Sequence, residues 1–496
     1  MTITNNSFID HISFDGMRKH LSKDFNVIYH LDLGGDVGEN PRLSGTKHNV
    51  FGIKEGVGIT FLVKDKKIKD KKILYQQLEE FWTKEERLSF LTEKIESNTS
   101  IQEIITDEFF MDKNNHWYSE KNELIRTFNR YILLYNEENN QEGIFLEKYP
   151  GISTNRNEWV YDFSEKKLEN KMKETIDFYN EQVLKYEKES KIRGNIDIKN
   201  FVEYKEEKIK WSRDLLKKVK NLKYSKYEID KINNSLFRPF VNKKLYYDNI
   251  WVDSPSKFSK IIESENNKII AFSGKGANKI SSFITSELPN LDLLEKTQTF
   301  PFYNHKKQEN ISDWGLKLFQ EKLKNEKITK IDIFNYIYGF FHHPDYVKYF
   351  GDFLKKNIPR IPILKQFDKI SKIGKQLSEI HINYEDINEY PLKVETEKDK
   401  SFTFNISLLK LSRDKKTLIY NDAITIKDIP ESAYTYKVNG RSPLEWIVDQ
   451  YKNWEENADY VLSLIKKAIT ISIETTKLID ELREINFIQD SKKEDK

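Results

Sequence analysis

The spacing of apolar positions changes repeatedly along the first sixty residues. Met1-Thr2-Ile3-Thr4 reads as the end of a buried strand, and Asn5-Asn6-Ser7 as the turn leaving it. Met17, Leu21 and Phe25 at four-residue spacing predict a helix from about Gly16 to Phe25. Val27 to Leu33 and Val57 to Val63 are short apolar runs of strand length. Strand, crossover helix and strand predict a parallel unit, which needs further strands beside it. Beyond residue 66 glycine thins out and helical spacing takes over: Leu74, Leu78, Phe81 and Trp82 share one helix face, as do Leu124, Phe128, Tyr131 and Ile132.

From 231 to about 430 short strands alternate with turns, as in Lys244-Leu245-Tyr246-Tyr247 and Lys268-Ile269-Ile270-Ala271-Phe272, with helices set in around 331–356. Ser442-Pro443-Leu444-Glu445 is a capping box with proline at the first helical position. Ile447, Tyr451, Trp454, Ala458, Val461 and Ile465 then continue a single apolar face. The pattern predicts α/β followed by α+β, in four regions: 1–66, a mainly helical 67–230, a mixed 231–430, and a helical 431–496.

Composition narrows the chemistry. The 496 residues contain no cysteine, which excludes disulfide scaffolds, thiolate metal sites and cysteine nucleophiles. No apolar run reaches the roughly 18 residues of a membrane span, and no signal-peptide core opens the chain, so a soluble, cytoplasmic protein without membrane partners is expected. With 82 basic and 79 acidic residues, net charge says little about partners. The general abundance of lysine also weakens any single basic cluster. Tyr204 to Tyr227 holds nine basic residues, and both a solvated helix face and a track for phosphates fit it.

No GxGxxG or Walker A sequence is present, and "SGKGANK" at 273–279 lacks phosphate-loop spacing. Asp292, Glu295 and Lys296 lack the strand-borne spacing of a metal nuclease. His342 and His343 read as a helix-ending pair near the surface, because adjacent histidines point to different sides of a helix. The glycine-dense loop from Gly34 to Gly58, with its 23-residue connection between two strands, is more informative, since connections of that length are usually functional or disordered. It carries Asn40, Arg42, Lys47, His48, Asn49 and one aromatic, Phe51. Phe51 either tucks into the core or meets a ligand.

The run "ITNNSFIDHISFDGMRKHL" followed by "FNVIYHLDLGGDVGENPRLSGTKHNVFGIKEGVGITFLVK" resembles the second half of the methyltransferase domain of type ISP restriction–modification enzymes. The likeness continues through "FRPFVNKKLYYD" (237–248), "SGKGANKISSFITSELPNLD" (273–292), "FPFY" (300–303), "IFNYIYGFFHHPDYVKYFGDFLKKNIPRIPI" (333–363) and "VNGRSPLEWIVDQY" (438–451). Such enzymes join nuclease, helicase-like ATPase, adenine methyltransferase and target-recognition parts in one chain.

The resemblance implies a truncated Rossmann-like methyltransferase half at 1–66, a helical linker at 67–230, a target-recognition domain at 231–430 and C-terminal helices at 431–496. In that family the cofactor glycine motif and the Asn-Pro-Pro-Tyr motif precede the "ITNNSF" strand. The expectation is therefore a fragment, split product or remnant with no catalytic residues. S-adenosylmethionine is expected only with the missing N-terminal half, and an upstream methyltransferase or restriction polypeptide is an expected partner.

Double-stranded DNA is the other expected partner. Phe51 is the candidate ring for stacking on an extruded adenine. Arg42, Lys47, His48, Asn49, Arg238, Lys275, Asn278, Lys279 and Arg441 are the candidate DNA contacts. Arg238 reads equally well as a structural arginine bracing a turn. Three functions stay open: a recognition module, a methyltransferase subunit completed by another chain, and an inert remnant used for protein contacts.

Overall fold

A computed structural model describes residues 1–496 except 37–46, 66, 80, 112–114, 116, 120–122, 140–141, 195, 255–256, 262–266, 397–405, 407, 453–457 and 489–496. It divides into two compact units, Met1–Arg130 and Tyr131–Lys496.

In the first unit the expected apolar runs become strands. They are β1 (Thr2–Asn5), β2 (Val27–Asp32), β3 (Val57–Val63), β4 (Lys72–Gln77), β5 (Asp107–Met111) and β6 (Trp117–Ser119), ordered β1-β3-β2-β4-β5-β6. β3 is antiparallel to both β1 and β2, so it stands between the two strands expected to form a parallel unit. β2 instead runs parallel to β4. Every residue of β2 is buried, because helices cover both faces of the sheet. Val27, Tyr29 and Leu31 meet Phe90 and Leu91 of the helix Lys84–Glu96 on one side. Ile28 meets Leu21 of the helix Asp15–Asp24 on the other. This is the alternation of a strand with two covered faces.

Two expectations fail in this unit. β1 is an exposed edge strand rather than a buried one, with Ile3 48% exposed. Leu74 and its neighbours form β4, not a helix: parallel pairing with the buried β2 overrides a helical spacing that strand residues satisfy by coincidence. The stretch 67–230 is therefore not one helical linker. Its first part completes the sheet, and residues from Tyr131 onward belong to the second unit.

The second unit is mixed α/β. One four-stranded sheet joins Ile232–Arg238 and Val241–Tyr246 to Leu288–Pro289 and Tyr161–Asp162. Another joins Ile269–Phe272 to Ser282–Thr285, Gln298–Pro301 and Tyr149–Pro150. Helix Glu165–Arg193 buries Leu168, Met172, Ile176, Tyr179 and Val183 against the first of these.

Helices Lys330–Phe341 and Phe367–Ile382 cross in backbone contact. A Cβ on Gly374 would sit 1.9 Å from Asn335 O, and one on Gly339 would sit 2.4 Å from Ile370 O. The capping box at Ser442–Glu445 starts the helix Pro443–Gln450 as the sequence indicates. That helix ends before Tyr451, so Ile447 and Val461 lie on different helices, the second being Ala458–Arg483. Trp454 lies outside the described residues. Both helices share one core with Leu236, Phe240 and Phe283, so 431–496 is no separate body.

Candidate nucleic-acid interface

In the first unit, the connection after β2 is anchored from both ends. The Asp32 carboxylate accepts hydrogen bonds from Asn6 Nδ2 (2.5 Å), Gly34 N (2.6 Å) and the Tyr75 hydroxyl (2.7 Å). Beside it, His30 Nδ1 lies 2.9 Å from Thr60 Oγ1, and burial holds the imidazole down to about 4.

Farther along, Asn49 is buried. Its amide donates to Glu55 O at 2.7 Å and its oxygen accepts from Phe51 N at 2.9 Å. Asn49 is therefore a loop brace, with its side chain turned inward. The residue it braces, Phe51, is 55% exposed, which removes the reading that tucks this ring into the core. His48 Nδ1 lies 3.2 Å from Trp82 O, and Lys47 is exposed with its carbonyl accepting from Lys84 N. Arg42 lies outside the described residues.

In the second unit, three of the family-like segments meet. "SGKGANK" leaves the strand Ile269–Phe272 and folds onto Glu295 and Lys296. Gly274 N donates to Glu295 O (2.9 Å), Asn278 N to Glu295 Oε2 (2.5 Å) and Lys296 Nζ to Gly276 O (2.8 Å). A Cβ on Gly274 would lie 2.0 Å from Lys296 O, so this glycine serves packing of the loop onto its own support. Glu295 and Lys296, unconvincing as a nuclease pair, are that support. The side chains of Lys275, Asn278 and Lys279 remain exposed, with Lys275 Nζ 3.5 Å from Glu137.

The turn Val438–Arg441 docks against this loop. Asn439 and Gly440 are both left-handed (φ 51° and 83°), and Asn439 N donates to Ser281 Oγ at 2.8 Å. The Lys279 side chain crosses Gly440 so closely that a Cβ there would lie 2.4 Å from Nζ. Arg441 lies over the Trp446 ring, 5.0 Å from its centroid, and donates to Asp449 at 2.8 Å.

Asp449 also acts on Arg238, whose guanidinium donates to Phe237 O (2.6 Å) and Asn290 Oδ1 (3.3 Å). Arg238 is half-buried and braces its own turn, the structural alternative of the two left open. Lys243 stands next to it, 4.2 Å from the Phe237 centroid and 4.4 Å from that of Phe163. Burial, then the neighbouring Arg238 charge, pulls its ammonium down to about 8.

Between the loop, the turn and the helix Pro344–Lys356 lies a cleft of about 430 Å³, lined by Asn278, Lys279, Lys348, Tyr349, Lys355 and Lys437 among others. Lys348 and Lys355 have acidic neighbours one helical turn away, Asp345 at 3.6 Å and Asp352 at 3.0 Å. Lys279 and Lys437 have no ion-pair partner among the described residues. Sequence reading missed Lys348, Lys355 and Lys437. The first two lie inside a family-like run, where a charge count would have found them, and the third immediately precedes one. With Lys348 and Lys355 compensated by their aspartates, Lys279 and Lys437 leave the concave surface net positive, a potential that draws in polyanions.

His342 and His343 do end one helix and start the next, but both are buried rather than near the surface. His342 Nδ1 lies 2.9 Å from Tyr338 O and His343 Nε2 2.9 Å from Ile485 O. Among the described residues no three His, Asp or Glu side chains form a metal-binding group, and no helix is long and apolar enough to cross a membrane.

Residues 143–481 match the family model of the type ISP C-terminal specificity domain. No curated protein matches the chain. Among solved structures, a nuclease-deletion mutant of the type ISP restriction–modification enzyme LlaGI, in complex with a DNA substrate mimic, is 30% identical with a TM-score of 0.72. The DrdV–DNA complex is 30% identical with a TM-score of 0.71. The ATP-dependent type ISP enzyme LlaBIII bound to DNA is 29% identical with a TM-score of 0.74. Each alignment covers 97% of this chain but only 38%, 50% and 33% of those chains respectively. The family match spans well over half the sequence, and this chain belongs to the type ISP restriction–modification family as a C-terminal specificity region.

Proposed function

We propose that this chain recognises a short duplex DNA sequence on behalf of a type ISP restriction–modification adenine methyltransferase. The observation that carries the reading is the convergence of the "SGKGANK" loop, the Val438–Arg441 turn and the lysine-lined cleft on one rigidly supported surface. Loops held by fixed strands are where recognition residues concentrate. Lysines there would meet phosphates and fix register, while Asn278 is the exposed side chain suited to a base edge. The DNA complexes of the three structural relatives support the same reading.

In this reading the first unit is the last part of a Rossmann-like methyltransferase sheet. Its support is a buried, two-faced β2 flanked by antiparallel β3 and parallel β4. Phe51, exposed on a braced loop, is the ring for an extruded adenine. S-adenosylmethionine binding is assigned, in this reading, to the part of a type ISP enzyme that carries the cofactor glycine motif and Asn-Pro-Pro-Tyr. The 496 residues carry neither motif, and Asp32 is engaged by Asn6, Gly34 and Tyr75. Methyl transfer is assigned to the segment that carries those motifs, and the exposure of Phe51 favours a second reading in which this chain completes such an enzyme.

The test is selection of bound duplexes from a randomised pool at moderate salt. One enriched short site is expected. A pool that returns random sequence with no retained duplex overturns the reading in favour of a remnant.

A further inference from the structure

A second basic concavity lies elsewhere in the larger unit, about 580 Å³ in volume. Its wall is the helix Arg213–Lys220, started by Ser212 Oγ accepting from Leu215 N. Leu215, Leu216 and Val219 fix one face of this helix in the core. The i, i+4, i+7 spacing of Arg213, Lys217 and Lys220 places those three exposed cations together on the opposite side. Lys199, from the short helix Ile198–Phe201, faces the same space.

The concavity also contains two carboxylates, and each is already neutralised. Asp214 pairs with Lys218 at 2.5 Å. Asp253 pairs with the buried Arg156 at 2.7 Å and accepts from Asn155 Nδ2 at the same distance. Arg156 further donates to Ser212 Oγ and the Trp251 carbonyl, so the floor is rigid. Among the described residues, none of Lys199, Arg213, Lys217 and Lys220 has a carboxylate partner. Four cations without carboxylate partners therefore stand over a fixed floor.

We infer that this concavity is a sequence-independent binding site for the phosphates of a nucleic-acid backbone, separate from the surface that reads sequence. The inference rests on the DNA-recognition reading above. It assigns to this helix the contacts that hold the duplex without distinguishing one site from another.

The test uses the full chain and duplexes of random sequence, with affinity measured across a series of KCl concentrations. The triple variant Arg213→Gln/Lys217→Gln/Lys220→Gln is compared with Lys322→Gln/Lys324→Gln/Lys365→Gln, which removes the same charge from exposed lysines around another cavity. All six side chains are exposed, and matching melting curves establish that both variants fold.

The first triple is expected to flatten the slope of log affinity against log salt by about 2.7, since each of the three lost phosphate contacts contributes about 0.9. Its preference for the selected site stays unchanged. Equal losses in both triples would show only a loss of overall charge and overturn the inference, as would an unchanged slope. Competition by millimolar inorganic phosphate at constant ionic strength would assign the cavity to the free ion and also overturn it. A wild-type chain that binds no duplex at all defeats the recognition reading itself, an outcome distinct from a wild-type chain that binds while the triple variant matches it.

Discussion

The two compact units bury polar groups in different ways. In the smaller one, His30, Asp32, Asn6, Thr60 and Tyr75 form a hydrogen-bonded group at one end of a sheet whose β1 edge is exposed. In the larger one, three histidines sit among aromatic rings. His381 lies between the Tyr338 hydroxyl (2.6 Å) and Thr475 Oγ1 (3.0 Å), and its ring stacks on Tyr436. The contrast shows what each core requires. The smaller unit depends on a polar group positioning a loop, and the larger holds its histidines by packing them among aromatic rings.

Acid should separate the units most strongly. Burial depresses His342 to about 4, and it depresses His343 and His381 as well, against His30 alone among the described residues of the smaller unit. A depressed histidine binds its proton more weakly folded than unfolded, so its stabilising contribution is complete above about pH 6.5 and is lost as pH falls toward 4. Each shift of this size corresponds to about 3 kcal/mol. Between those values the larger unit is expected to lose stability more steeply, which urea unfolding followed separately in each unit would measure. Equal slopes would break the comparison.

The next effect is steric. Gly374→Ala drives a methyl group into Asn335 O at the helix crossing, and a loss of about 3 kcal/mol is expected in the larger unit alone. Calorimetry should show its transition moving while that of the smaller unit stays in place.

A pair of changes in one loop of the smaller unit sharpens the distinction between support and contact. Asn49→Ala leaves Glu55 O and Phe51 N without their partner and is expected to cost about 1–3 kcal/mol of stability. Phe51→Ala removes an exposed ring, so stability should move by less than about 0.5 kcal/mol. Affinity for a duplex with an unpaired target adenine should instead fall by about 1–3 kcal/mol. If Phe51→Ala destabilises the unit as much as Asn49→Ala does, the ring is structural.

The smallest effect concerns the lysine-lined cleft. Lys279→Gln and Lys437→Gln are each expected to reduce the salt slope of DNA binding by about 0.9 and to weaken all sequences alike. A change of sequence preference in either variant would make that lysine a base reader.

Much of the architecture follows from local chemistry. The strands at 27–32 and 57–63, the capping box at Ser442 and the helices spanning 330–356 rest on apolar spacing, caps and turn residues that a sequence displays directly. The family-like runs located the segments that form the candidate surface. Individual side chains were less legible. Asn49 and Arg238 look like contacts in one dimension, since an amide or a guanidinium suits a base edge, yet each satisfies nearby backbone groups.

What the sequence determined alone was elements such as the strands at 27–32 and 57–63 and the capped helix at Ser442, because periodicity and capping depend on residues within a few positions of one another. The tertiary structure alone decided that β3 separates β1 from β2, and that residues 72–77 are a strand. It also decided which lysines face a common space: Lys279, Lys348 and Lys437 are far apart in the chain and meet only through packing. The physical reason is the same in each case. Strand pairing and charge clustering are set by long-range burial, which outweighs local preferences of a few tenths of a kcal/mol.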